Sequence, residues 1–213
     1  MRRLLPVIAL ALLAGCGTPA KLNYYTLAVA QASGAGAASG AASVSASASP
    51  SASASAPATP GRAFSVYVGP VTIPEAVDRP QMVMRIAANQ VEIADLDRWA
   101  EPLKAAIPRL ISETLTRELA TPTVMTSRQS ATLAFDYRVA VDVQRFDFTG
   151  DAALVDALWT LRTEKDGAPR TGRSEAREPA ASRDPRSMAA AQSRAIEKVA
   201  RDIAEAIRAL ERR

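Results

Sequence analysis

Residues 133–143 carry the plainest pattern in the chain. Leu133, Phe135, Tyr137, Val139, Val141 and Val143 fall on one side, with Asp136, Arg138 and Asp142 on the other. Period-two alternation of this kind predicts a half-buried strand. After Gln144-Arg145 the apolar set jumps phase to Phe146 and Phe148. One extra residue in a strand does this, so a β-bulge is expected at 144–146. Thr149-Gly150-Asp151 turns the chain. Ala153, Val155, Ala157, Trp159 and Leu161 then form an antiparallel return strand. Lys165-Asp166-Gly167 reads as a second hairpin turn, and 170–177 as a polar edge strand.

Upstream, Phe64-Ser65-Val66-Tyr67-Val68 alternates and the run ends at Pro70-Val71, which suits an edge or a strand end. Ile73-Pro74-Glu75 and Asp78-Arg79-Pro80 are turn-like. Residues 81–86 read as a short strand, and Asn89-Gln90 as a turn before 91–93.

Two stretches switch to helical spacing. Trp99, Leu103, Ile107, Leu110, Ile111, Leu115 and Leu119 recur at threes and fours, with Pro102 placed for a first helical position. Pro108 lies inside that pattern, removes the bond to the Lys104 carbonyl and should kink the helix. The last helix starts at an Asp184 cap followed by Pro185, and Met188, Ala195, Val199, Ile203, Ile207 and Leu210 give its apolar face. The expectation is a single α+β domain. Its mostly antiparallel or mixed sheet has about five or six strands and packs with two amphipathic helices.

Composition then removes most chemistry. The 213 residues contain no histidine and one cysteine. Imidazole-assisted nucleophiles, disulfides within the chain and cysteine-cluster metal sites are therefore excluded. The net charge of +4 is concentrated at the N-terminus, where Arg2, Arg3 and Lys21 precede any acid. The rest is nearly neutral, so nucleic-acid binding lacks its cation surplus. A two-carboxylate hydrolase survives on paper, with Asp142, Asp147, Asp151 and Asp156 as the acids to consider. Nothing in the sequence marks one of them as raised in pKa beside a partner that stays ionised. The expectation is no enzyme and no cofactor.

The N-terminus reads as an address. Arg2 and Arg3 precede an apolar run ending in Leu13-Ala14-Gly15-Cys16. That run has the size of a secretory core and is too short to span a bilayer. The Leu-Ala-Gly-Cys string resembles the bacterial lipobox. The resemblance implies cleavage between Gly15 and Cys16, acylation of the Cys16 thiol and a palmitate-bearing anchor. The alternative is a secreted protein with a chance cysteine. Gly17 is not the aspartate that retains enteric-type lipoproteins at the inner membrane. The expected location is therefore the outer membrane, lipid-anchored on its periplasmic face.

Residues 28–62 are rich in Ala and Ser, and no charge falls between Lys21 and Arg62. Such a segment has little to bury and is expected to be disordered. It is either a tether, spanning roughly 30 Å root-mean-square, or a loop inserted into the domain. The β-prone cluster Tyr24-Tyr25-Thr26-Leu27 favours the loop, since these residues could form a strand paired with 64–71. The expected division is 1–15 signal peptide, 16–27 lipidated N-terminus with a possible first strand, 28–62 loop or linker, and 63–213 folded domain.

Several strings taken together resemble the ABC-type transport auxiliary lipoprotein family, the PqiC/YmbA-type proteins. They are Tyr24-Tyr25-Thr26-Leu27, Val68-Gly69-Pro70-Val71 with Ile73-Pro74, Asp78-Arg79-Pro80-Gln81, Met82-Val83-Met84-Arg85 and Arg98-Trp99-Ala100-Glu101-Pro102-Leu103. Phe146, Leu158-Trp159 and Gln192-Ser193-Arg194 complete the set. The resemblance covers the mature chain apart from 28–62. It implies a non-enzymatic outer-membrane subunit of an MCE-type ABC intermembrane lipid transport system. Such a subunit docks the periplasm-spanning MCE-domain protein and supports envelope integrity. A structural or assembly lipoprotein with another partner is the alternative. Asp78, Arg79, Arg85, Trp99 and Glu101 are the candidate partner contacts, set against a plainer reading of Trp99 as core and the Asp78 turn as solvated. A homo-oligomer is compatible with the sequence.

Overall fold

The fold is taken from a computed structural model that describes residues 21–29, 64–121, 123–126, 133–164 and 168–212. The strands are β1 Asn23–Tyr25, β2 Val66–Thr72, β3 Gln81–Ala87, β4 Gln90–Trp99, β5 Val124–Met125, β6 Tyr137–Phe148, β7 Ala152–Thr163 and β8 Arg170–Pro179. Helix α1 is Leu103–Leu119 and helix α2 is Pro185–Glu211. The α+β class holds, with two sheets in place of the single one expected. Five strands run in the order β5-β2-β6-β7-β8 and three in the order β1-β4-β3.

The β6–β7–β8 meander follows the alternation that predicted it. Tyr137, Val139, Val141 and Val143 are buried, as are Leu161 opposite Val139, Ala157 opposite Val143 and, past the bulge, Val155 opposite Phe146. The register skips between Val143 and Arg145, leaving Gln144 as the extra residue of a bulge. That slip brings Phe146 and Phe148 back to the buried face. Gly150 has a φ of 85°, which the tight turn into β7 requires. β8 is an edge strand, as its polarity suggested. The turn expected at 165–167 lies outside the described residues.

β6 starts later than the alternation implied. Leu133 is exposed, and Phe135 packs on Tyr67 with ring centroids 5.4 Å apart, under the Arg138 guanidinium. This cluster lies on the opposite side of the sheet from Tyr137, which packs edge-on to Phe64 instead. Period two alone could not show where the strand begins.

Both helices close the buried face. Asp184 accepts from the backbone N–H groups of Arg186 and Ser187, with Pro185 following as the first helical residue. Met188, Ala195, Val199, Ile203 and Ile207 are buried along α2. In α1, Leu103, Ile107, Leu110, Ile111 and Leu115 meet the same core, and the helix runs on through a buried Pro108.

Two expectations change near α1. Trp99 is the last residue of β4, ahead of the helix whose spacing it shares. Pro102 flanks the helix as its cap residue, its carbonyl accepting from the Ala105 and Ala106 N–H groups. Residues 24–27 do join the domain, yet their partner is not 64–71. β1 pairs in parallel with the end of β4, Asn23 with Asp97 and Tyr25 with Trp99. Leu27 is then fully buried in the common core.

Candidate functional site

The ends of β1, β3 and β4 meet the start of α1 at one place. The Trp99 N–H donates to the Pro80 carbonyl at 2.7 Å, and the Ala100 N–H to the Tyr25 carbonyl at 2.8 Å. Three distant stretches are thereby joined by backbone bonds, which depend on conformation rather than on side-chain identity. Above them opens a pocket of about 400 Å³, lined by Asp78, Arg79, Pro80, Trp99, Ala100, Glu101, Pro102 and Leu103. Its floor is apolar. Trp99 is only 6% exposed and meets Phe146 edge-on at 6.5 Å.

The charges on its wall differ in their engagement. The Lys104 ammonium donates to Asp78 at 2.6 Å. The Arg109 guanidinium donates to Glu101 at 2.6 Å, to Glu113 at 2.9 Å and to the Leu27 carbonyl at 2.8 Å. Arg109 thereby fastens the strand entering from β1 to α1. Its own pKa is raised by the Glu101 hydrogen bond, against the cost of burial. Arg79 is exposed and its side chain has no ion-pair or hydrogen-bond partner among the described residues. A pocket with an apolar floor, two neutralised acids and one free cation suits a segment bearing an apolar side chain beside an anion.

Of the residues singled out from sequence, Asp78, Arg79, Trp99 and Glu101 are thus brought together. Arg85 is not. Its Nε and Nη2 donate to Asp147 on β6 at 2.8 and 3.1 Å, a two-pronged pair tying one sheet to the other. Gly15 and Cys16 lie outside the described residues. Sequence reasoning passed over Arg109 and Lys104. The clue to Arg109 was its spacing from Glu113, one turn apart on a helix face.

The acids considered for hydrolysis are spread over the other sheet. Asp142 accepts from the Thr72 hydroxyl and the Gln144 amide. Burial pushes the Asp147 carboxyl up, and the hydrogen bonds from Arg85 and Arg145 outweigh it, holding the group below its ordinary range. The Thr149 hydroxyl, helped by Arg177, lowers Asp151, and the Arg173 fork lowers Asp156. A general acid needs the opposite displacement. Among the described residues no group of three or more acidic or sulfur side chains is placed to hold a metal.

A family model described as the ABC-type transport auxiliary lipoprotein component matches residues 45–204. The chain belongs to this family. The match begins inside the Ala/Ser-rich stretch and does not reach Tyr24-Tyr25-Thr26-Leu27, although that segment helps build the auxiliary lipoprotein's pocket region. Two solved structures share the fold. One is the crystal structure of an uncharacterized protein, 16% identical with a TM-score of 0.64, covering 88% of this chain and 99% of that one. The other is protein XCC0632 from Xanthomonas campestris, 19% identical with a TM-score of 0.57, covering 70% and 86%. No curated protein matches the chain.

Proposed function

We propose that this auxiliary lipoprotein is a non-enzymatic subunit of an MCE-type ABC system for lipid transport between membranes. Acyl chains on Cys16 hold it at the periplasmic face of the outer membrane, where it docks the periplasm-spanning MCE-domain protein and supports envelope integrity. Several acyl chains on one residue make an anchor that does not release, at about 0.8 kcal/mol per buried methylene. Among the described residues no helix is long and apolar enough to cross a membrane.

The observation that carries this reading is the convergence of the family-like strings on one pocket. Asp78-Arg79-Pro80 and Trp99-Ala100-Glu101-Pro102-Leu103 flank the open end of the β3–β4 hairpin and share the pocket's wall. Buried aromatic floors beside an available arginine are typical anchors of protein interfaces. Asp147, Asp151 and Asp156 are held below their ordinary range, the wrong direction for a general acid at these positions.

Affinity purification of the tagged full chain from detergent-solubilised envelopes tests it. An MCE-domain protein should co-purify, and Arg79→Glu should cut its recovery about tenfold, as a central contact does. The same variant should leave unfolding within about 0.5 kcal/mol of the parent, because Arg79 has no partner to lose. Recovery of a different envelope protein with no MCE-domain partner would favour an assembly lipoprotein and overturn the transport reading.

A further inference from the structure

The three-stranded sheet ends in the β3–β4 hairpin, whose uncharged turn Ala87-Ala88-Asn89-Gln90 is flanked by the exposed Ile86 and Val91. At its base Arg85 is held by Asp147, and its Nη1 donates to the Ala88 carbonyl at 3.1 Å. Near that clamp Ile86 is 52% exposed, Val91, which pairs with Arg85, 42%, and Ile93 40%. Residues 86–91 include no charged side chain. Proteins commonly place charge on exposed strand edges, so an uncharged, β-branched tip marks a surface that something covers.

The direction of β1 says where that tip lies. β1 runs parallel to β4 and enters opposite Asp97, so the chain approaches from the side on which β4 begins. That side carries the hairpin tip. Gln90 and Asp97 are seven residues apart, roughly 23 Å at strand rise. Cys16 and Asn23 are also seven residues apart, and extended chain of that length reaches at most about 25 Å. The tether is therefore long enough to put Cys16 level with the tip, and too short to carry the domain far from its anchor.

We propose that the β3–β4 hairpin tip is a second membrane contact, seated in the headgroup region of the same phospholipid leaflet that holds the Cys16 acyl chains. Ile86 and Val91 enter first, with Ile93 behind them. The inference rests on the Cys16 anchor of the proposed function. The charges nearest the tip on β4, Glu92 and Asp95, are acidic. The contact is thus apolar rather than an attraction to anionic lipid, and salt should not release it. Two points of attachment, an acyl anchor and an apolar tip, would orient the domain on the bilayer where a single tether leaves it free to swing.

The test uses the mature full-length lipoprotein with Ile86→Cys carrying an environment-sensitive fluorophore; the acylated Cys16 thiol does not react. Leu158→Cys, exposed on the outer face of the five-stranded sheet, serves as the reference position. Both are reconstituted into phosphatidylethanolamine vesicles with a minor share of phosphatidylglycerol, floated, and quenched with spin-labelled lipid. The proposal predicts a blue-shifted emission at position 86 and quenching at least about twofold above position 158, as for groups 5–10 Å into the interface. Protein that floats with both labels equally wet overturns the hairpin contact and leaves the anchor intact. A blue shift without lipid quenching means a protein surface covers the tip, which also overturns it. Protein that does not float overturns the Cys16 anchor, and the hairpin proposal falls with it.

Discussion

Arg79 and Arg85 belong to the same stretch of chain and meet opposite fates. Arg85 is spent inside the molecule on Asp147, whereas Arg79 faces solvent with nothing to hold. No local pattern separates the two in the sequence, because the difference lies in what the far end of β6 brings near. Carboxylate pairing has a consequence that solution chemistry can read. Asp147, Asp151, Asp156 and Asp184 all sit below their ordinary pKa, the last through the Ser182 and Ser187 hydroxyls and the first N–H groups of α2. A lowered folded-state pKa means that the unfolded chain binds more protons near pH 4. The stability these groups supply is therefore present above the unfolded value of about 3.9 and lost as pH falls through the folded values. The urea midpoint should hold steady from neutrality to about pH 5 and drop below about pH 4. Asp156→Asn should reduce that drop, since the carboxyl that Arg173 holds below its ordinary range is then no longer there to titrate. A midpoint that rises on acidification would refute this assignment.

Elements whose partners are near in sequence were the legible ones. The β6–β7 hairpin, its bulge at Gln144 and the Asp184-Pro185 helix start each follow from local alternation or local capping. The partner of β1 was not legible, because a parallel pairing across some seventy residues leaves no mark in either strand. Trp99 misled for a different reason. Its spacing to Leu103 and Ile107 continues the helical face backwards, while Pro102 and the bond from the Trp99 N–H to Pro80 keep it in β4. Gly172 shows a constraint running the other way. A methyl group there would stand 2.1 Å from the Trp159 ring, whose indole N–H donates to Ser174 at 3.1 Å. Gly172→Ala should destabilise the domain by about 1–3 kcal/mol, the usual cost of overpacking. In a Trp159→Leu background the same change should be nearly neutral, and thermal unfolding of the four variants measures the coupling. Equal costs in both backgrounds would show that the ring is not the obstacle.

At the scale of the molecule, a fold can be shared widely while its site is not, so the pocket has to carry the functional argument. Four of the five contact residues chosen from sequence share that pocket, because the strings containing them are fastened to one another by backbone bonds from Trp99 and Ala100. What the sequence concealed was Arg109, which ties Glu101 to the Leu27 carbonyl and so connects the pocket to the segment nearest Cys16. That connection ties the proposed docking surface to the segment that follows Cys16, at the end of β4 opposite the hairpin tip. Photo-crosslinking in living cells reads the claim most directly. A crosslinking amino acid in place of Ala100, an exposed pocket residue, should give an adduct identified by mass as an MCE-domain protein, and one in place of Leu158 should give none. An adduct at 158 with 100 left bare would place the partner on the other sheet and contradict the account.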